Sequence, residues 1–300
     1  MKVFVAGGTG FIGSWLRDAL LRCGHTVTRM SKSTTPRISG AGGWRGDALE
    51  PGGISGALEG HDAVINLIGI IRAFPARGIT FSRLHIDATR NLVTAAQKAG
   101  VRRFIQMSAN GARFDGVTQY QRTKYRGEEI VRSSGLEWTI FRPSVVFGKP
   151  PEGKIEFCTQ LGRAFKNAPV IPMFGSGNYR LQPIHAKDVA SAFVGALEKP
   201  GSAGRVFHLG GDVAYSYREI LNLIFLGMGQ KPKAKLPVPW FLAKPFVSVL
   251  GLFPAFPATA DQIDMLLEGN RVPETGYKEF FGITPVAFSP ENLSYLKESV

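Results

Sequence analysis

The chain opens Met1-Lys2-Val3-Phe4-Val5-Ala6-Gly7-Gly8-Thr9-Gly10-Phe11-Ile12-Gly13. A short apolar run, KVFVAG from Lys2, meets a cluster of glycines, and FIGSWLRDALLRCG then carries the apolar spacing of an amphipathic helix. Gly8, Gly10 and Gly13 fit G-x-G-x-x-G, while Gly7, Gly10 and Gly13 fit G-x-x-G-x-x-G. Between a strand and a helix such a cluster has a physical use. Glycine permits the tight turn, lets a pyrophosphate approach the backbone, and lets the helix pack on the strand. The helix N-terminus adds unpaired N–H groups and the positive end of its dipole. A dinucleotide-binding turn is the expectation, against a plain βα turn.

Outward from this turn, apolar runs alternate with helical patterns. Further strands are expected at HTVTRM from His25, AVINLIG from Ala63, RFIQMSA from Arg103 and WTIFRPS from Trp138. Helices are expected over Ile12–Cys23, Thr80–Lys98 and Thr118–Ser133. Such alternation implies βαβ units on a parallel sheet, and the nearly all-apolar AVINLIG suits a strand covered on both faces. Pro150 and Pro151 mark a break, after which the pattern loosens. Helices are expected near Ile155–Lys166, Asp188–Glu198, Tyr217–Leu226 and Ala260–Glu268, with strand-like VIPMF and VFHLGG. The expected fold class is α/β, a doubly wound Rossmann parallel sheet with a small C-terminal α+β lobe. Residues 1–150 form the dinucleotide-binding domain, and 151–300 a mixed region that closes the cleft and is partly interleaved with it.

Composition bounds the function. Of 300 residues, 44% are hydrophobic and 20% charged, as in soluble globular proteins. Cys23 and Cys158 are too few for a disulfide framework, and no apolar leader precedes a cleavage site, so a cytoplasmic location is expected. The apolar stretch LPVPWFLAKPFVSVLGLFP from Leu236 holds four prolines and Lys244, which oppose a spanning helix. It reads as a buried or interfacial helix pair, its aromatics Trp240, Phe241, Phe246, Phe253 and Phe256 forming core or a docking surface for a partner or for a membrane to which the protein is then peripheral. A net charge of +13 is met by a solvated basic face, an anionic cofactor, an acidic partner or an anionic membrane surface. Nucleic acid is not expected, as no zinc-finger or RNP-type signature is present.

The end of the second strand bears on cofactor choice. NAD sites place an acid there for the ribose 2′-hydroxyl. HTVTRMSKST has none; Ser31 stands near the acid's place, with Lys32 beside it and Arg29 two residues before. These groups suit a 2′-phosphate, so NADP(H) is favoured over NAD(H). Asp47 in RGDAL either meets the adenine or caps a turn. Farther on, Tyr120 and Lys124 form Y-x-x-x-K, which shares one face of a helix. A lysine so placed lowers a tyrosine's pKa and holds a ribose, and the tyrosine moves a proton while hydride moves at the nicotinamide.

Together GGTGFIG, Tyr120/Lys124 and FRPSVVFG from Phe141 resemble the extended short-chain dehydrogenase/reductase superfamily over roughly residues 1–270. NLIGIIR from Asn66, RLHIDATRNLV from Arg83, RFIQMSANGA and LQPIHAKDVASAF from Leu181 are most similar to a branch containing the NADPH-binding 39 kDa accessory subunit of respiratory complex I and bacterial NAD-dependent epimerase/dehydratase-like relatives. The resemblance implies pyrophosphate contacts from Gly7, Thr9, Gly10, Phe11, Ile12 and Gly13. It places Leu67, Ile68 and Gly69 on the adenine-ribose side, Met107 in the cofactor site, Lys124 on the ribose, Tyr120 by the nicotinamide and Pro143 at the carboxamide. It implies either an oxidoreductase or epimerase/dehydratase acting on a carbonyl, alcohol or nucleotide sugar, or a non-catalytic NADPH-holding subunit of a membrane-associated respiratory complex. Dimers built on the Tyr120 helix and the one before it are common in the superfamily, so a homodimer is an option.

One position departs from the family pattern. Its catalytic Ser or Thr falls on Ala109, with Ser108 one residue early in MSAN. A one-residue offset on a strand turns a side chain to the other face, so Ser108 serves only if the backbone bulges. The loss of that hydrogen bond costs on the order of a hundredfold in rate. Asn91 is the one candidate for the family's relay asparagine. His85, His185 and His208 lack metal-ligand spacing, Cys158 reads as core, and no metal site is expected.

Overall fold

A computed structural model describes residues 1–32, 41–54, 56–250, 258–273 and 276–300. Pro254, Phe253 and Phe256 lie outside the described residues. In chain order the elements are β1 (Lys2–Ala6), α1 (Phe11–Arg22), β2 (Thr26–Ser31), β3 (Ala41–Arg45), β4 (Ala63–Asn66), a π-helical segment (Ser82–Asp87) running into α2 (Ala88–Lys98), β5 (Arg103–Met107), α3 (Gln119–Arg132) and β6 (Glu137–Pro143). Then come β7 (Val146–Phe147), α4 (Phe157–Phe165), β8 (Val170–Phe174), β9 (Arg180–Leu181), β10 (Ile184–His185), α5 (Ala186–Glu198), β11 (Arg205–Leu209), β12 (Tyr215–Ser216), α6 (Tyr217–Gly227), β13 (Ala234–Val238), α7 (Trp240–Leu250), α8 (Ala260–Glu268), α9 (Tyr277–Phe281) and α10 (Leu296–Ser299).

The chain divides into two compact units: residues 1–143, 187–209 and 274–284, and residues 144–186, 210–273 and 285–300. The first holds a seven-stranded sheet in the order β11-β6-β5-β4-β1-β2-β3, every pair parallel. The α/β, doubly wound expectation holds. The strand order reverses between β1 and β4, so the topological switch point falls beside the glycine loop. β1 and β4 are buried almost throughout because helices cover both faces. One face packs Phe4, Val64, Phe104 and Ile140 with Leu92 and Val93 of α2 and Val131 of α3. On the other, Phe141, Phe193 of α5, Phe207 and Phe281 of α9 stack at 4.6 to 5.8 Å between ring centres.

Three local differences from the sequence reading matter. β3 was not expected: its AGGWR core lacks alternation, and only pairing with β2, Val27 opposite Ala41, defines it. β4 ends at Asn66, so Leu67–Gly69 leave the sheet. The segment before α2 is π-helical and not the first turns of one regular helix from Thr80.

The second unit pairs β7 with β10 and β8 with β13 in parallel, and β9 with β12 antiparallel, consistent with an α+β lobe. Its core gathers Phe147, Cys158, Met173, Ile220, Phe225 and Leu293. Burial pushes the Cys158 thiol well above its usual range, which fits a core residue. Over its described residues the stretch from Leu236 starts as β13 and becomes helix at Trp240, giving one helix there and not a pair. α7 is anchored on one side, where Trp240 Nε1 donates to Asp264 at 2.7 Å and Lys244 pairs with Asp264 at 3.0 Å. Its other side is bare: Phe241 is 75% and Phe246 72% exposed. These two phenylalanines are therefore not core. Among the described residues no helix is long and apolar enough to cross a membrane.

Candidate functional site

Because the sheet is parallel, the loops after β1, β2, β4, β5 and β6 all emerge along one edge. The glycine loop stands at its centre. Gly7 has φ +81°, a conformation that side chains rarely adopt, and a Cβ there would lie 3.0 Å from the Leu67 carbonyl carbon. Gly10 N–H closes the turn on the Gly7 carbonyl at 3.1 Å. A Cβ on Gly13 would fall 2.6 Å from that same oxygen, so only glycine lets α1 approach β1 this closely. Gly10 is the N-cap of α1 and offers no side-chain cap, and the first turn carries no acid. The leading N–H groups of Phe11, Ile12 and Gly13, with exposed Thr9 beside them, thus form a cradle shaped for an anion.

At the end of β2 the basic residues separate. Arg29 is buried, and its Cγ would lie 3.1 Å from a Cβ on Gly8, so it backs the glycine loop; burial draws its pKa below the usual arginine range. Lys32 instead pairs with Asp47 at 2.7 Å, and Asp47 also accepts the Leu49 N–H at 3.0 Å. Burial alone would raise the Asp47 carboxyl, but these two bonds outweigh it and hold its pKa down. Ser31 accepts the Gly46 N–H at 2.9 Å through its carbonyl and stands opposite Arg45 in β3. Lys32, Arg45, Gly46, Asp47, Glu50 and Gly53 line a depression of about 400 Å³. Sequence reasoning missed Arg45, since its place beside Ser31 depends on the unforeseen β3.

Across the switch point lie Tyr120 and Lys124. A capping box between Thr118 and Gln121 starts α3 and fixes its first turn. Lys124 is buried; its Nζ donates to the Met107 carbonyl at 3.3 Å and would lie 2.7 Å from a Cβ on Gly69. Leu67 N–H donates to the Ala6 carbonyl at 2.9 Å, just past the end of β4, and Ile68 N–H donates to the Asn66 side chain at 3.0 Å. The structure thus brings together Gly7, Leu67, Ile68, Gly69, Met107 and Lys124. Burial lowers Lys124 to about 8, with Glu128 resisting the shift. Tyr120 is pushed up to about 12 by burial. The net direction is upward, where the sequence reading expected Lys124 to lower it.

His85, set aside in the sequence reading, packs its ring edge against Tyr120 at 5.4 Å. Its Nδ1 lies 2.9 Å from Thr123 Oγ1, and its Nε2 accepts the Ile70 N–H at 3.2 Å. Asn91 lies elsewhere in α2, its amide donating to the Ala48 carbonyl at 2.8 Å.

After β5 the ladder stays regular. Ser108 N–H donates to Phe141 O at 2.7 Å and Asn110 N–H to Pro143 O at 2.9 Å, two residues on along both strands. No extra residue intervenes, so there is no bulge to carry Ser108 to the face of Ala109. Ser108 Oγ is buried with no hydrogen-bond partner among the described residues, and the Asn110 side chain meets His208 Nδ1 at 2.8 Å.

Comparison with known proteins agrees with this geometry. The model of the NAD dependent epimerase/dehydratase family matches residues 3–210. NADH dehydrogenase (ubiquinone) 1 alpha subcomplex subunit 9, mitochondrial, of Dictyostelium discoideum is 28% identical over 78% of this chain, which spans 66% of that relative's length. The protein of the same name from Mus musculus is 28% identical over 98% of this chain and 79% of its own. The solved structure of MoeE5 in complex with UDP-glucuronic acid and NAD superposes with a TM-score of 0.76 at 19% identity, covering 100% of this chain and 98% of that one, which shows the shared fold. With a parallel sheet, a glycine cradle at its switch point and a family model matched across both, the chain belongs to the NAD dependent epimerase/dehydratase family.

Proposed function

We propose that this protein binds NADP(H) along the C-terminal edge of its sheet and uses Tyr120 as the proton donor of an oxidoreductase or epimerase/dehydratase-type reaction on a carbonyl, alcohol or nucleotide-sugar substrate. The observation that carries this reading is the placement of Lys124 Nζ against Gly69 and the Met107 carbonyl, one helical turn from Tyr120 and one strand from the glycine loop. Gly7, Thr9, Gly10, Phe11, Ile12 and Gly13 hold the pyrophosphate; Leu67, Ile68 and Gly69 line the adenine-ribose side; Pro143 stands at the carboxamide end. Lys32 and Arg45 face the 2′-phosphate, with Ser31 between them in the sheet; Asp47 keeps Lys32 in place. These cations support NADP(H) over NAD(H).

When bound, the nicotinamide supplies or accepts hydride at the substrate carbon. A phenol at about 12 stays protonated at neutral pH, so Tyr120 is set to give its proton to the substrate oxygen as that carbon is reduced. Lys124, lowered to about 8, still carries most of its charge at neutral pH and donates to the ribose hydroxyls. Ala109 offers no hydroxyl to the developing oxyanion, which predicts slow turnover. The test is nicotinamide absorbance on NADPH-loaded protein given a small-molecule extract of its own cells. Loss of absorbance with wild type, and not with Tyr120→Phe, supports catalysis.

A second reading has its own observation. The exposed Phe241 and Phe246 on α7 form a surface suited to a partner, and relatives bear the names of respiratory-complex subunits. On this reading the protein holds NADPH without turnover and docks to a membrane-associated respiratory complex. It predicts stable absorbance in both proteins and loss of membrane co-sedimentation in Phe241→Ser/Phe246→Ser.

A further inference from the structure

Three elements meet at one imidazole. The loop leaving β4, the π-helical segment and α3 are distant in sequence, yet His85 bonds to Ile70 in the first and Thr123 in the last from its place in the second. The bonds settle the tautomer. Ile70 N–H can only donate, so Nε2 accepts and Nδ1 carries the proton, which goes to Thr123 Oγ1. Thr123 Oγ1 in turn donates to the Gln119 carbonyl at 2.8 Å, inside the first turn of α3. A protonated ring would set two N–H groups against each other at Ile70. Burial, and then the nearby Lys124 charge, pull the His85 pKa to about 2, so the ring stays neutral and does not act as an acid or base.

The backbone of His85 is held as firmly. Its carbonyl accepts Thr89 Oγ1 at 2.8 Å, and Thr89 receives the Asn66 amide at 3.1 Å. A Cβ on Gly127 would lie 2.6 Å from that carbonyl, so α3 reaches the π-helical turn only because residue 127 is glycine. π-Helical turns are uncommon and concentrate at functional sites.

We propose that His85 is the positioning residue of the nicotinamide-ribose half of the site, tying Ile70, just past the adenine-ribose residues Leu67–Gly69, to α3 so that Lys124 and Tyr120 keep their places. It acts through Ile70, Thr123 and the ring of Tyr120. The inference rests on the dinucleotide reading above.

The test splits the ligand. NADPH occupies both halves of the site, whereas adenosine 2′,5′-bisphosphate occupies only the adenine half. Both are titrated calorimetrically into wild type, His85→Ala, His85→Asn and His85→Gln. Asn retains a donor near Nδ1, and Gln a polar group near Nε2. The Ala variant is expected to weaken NADPH by about tenfold, the loss of two hydrogen bonds that order the site, while the bisphosphate changes by less than about twofold. Asn and Gln, each keeping one bond, are expected to recover part of the NADPH loss. If the Ala variant does not fold, the same split is read on Asn and Gln against wild type. Equal weakening of both probes reduces His85 to a structural role, and no weakening of either overturns the assignment alone. Wild type that binds neither probe overturns the NADP(H) reading and this inference with it.

Discussion

Gly13 of α1 sits so close to Gly7 that a Cβ on it would meet the Gly7 carbonyl oxygen at 2.6 Å and the Gly8 carbonyl carbon at 2.6 Å. Both obstacles are backbone and cannot swing aside. Gly13→Ala is therefore expected to cost about 1–3 kcal/mol, through displacement of α1 from β1. Urea melts check the stability, and calorimetry checks the accompanying loss of NADPH affinity. Unchanged values for both would mean that the loop yields freely.

Glu128 is fully buried and accepts Arg142 through both carboxylate oxygens at 2.8 and 2.6 Å, and Arg132 at 2.7 Å. Removing one member leaves a largely desolvated guanidinium without its counter-charge. Glu128→Gln should destabilise the protein by about 3–5 kcal/mol by denaturant titration.

Two histidines, His85 buried and His208 half-buried, make the fold acid-sensitive. Burial is the main cause of both shifts, holding His85 near 2 and His208 near 4 against an ordinary 6.5. Between those values and 6.5 the unfolded chain binds protons that the folded chain refuses, so stability falls as pH drops below about 6.5. Each histidine contributes a slope of about 1.4 kcal/mol per pH unit. His208→Asn should flatten the loss between pH 6.5 and 4, as seen in melting temperature against pH.

Lys124 carries the opposite consequence. Its folded pKa of about 8 lies below the 10.5 of an ordinary lysine because burial opposes its charge. Below pH 8 both states hold the proton and the folded one carries the cost, so wild-type stability rises between pH 8 and 10.5. Lys124→Met should stabilise the protein by on the order of 2 kcal/mol at pH 7, by less at pH 10, and should lose NADPH affinity. A variant less stable at pH 7 would show that Lys124 is a stabilising contact.

On the proposed catalytic reading the hydroxyl position falls on Ala109, and the unbulged ladder keeps Ser108 on the other face. Once a turnover assay exists, Ala109→Ser should raise kcat by about tenfold or more, and Ser108→Ala should change it little.

Much of this was legible in residue order. The KVFVAG and AVINLIG runs mark central strands because apolar residues on both faces fit a covered sheet, and the glycine loop is recognisable from its strand and helix. Y-x-x-x-K is local, as is the capping box before it. What stayed hidden depends on long-range pairing. Arg45 enters the site only through the register of β3, and His85 only through partners 15 and 38 residues away. The rise of the Tyr120 pKa follows from burial, which spacing does not encode. Likewise, a proline-broken apolar stretch does not reveal which side of α7 is anchored by Asp264 and which side faces out.

The most direct measurement is a calorimetric titration of NADPH and NADH into wild type and into Lys32→Ala/Arg45→Ala. The account predicts that wild type prefers NADPH by about tenfold or more, and that the double variant loses this preference while still binding NADH. Wild type that binds neither dinucleotide, or prefers NADH, would contradict it.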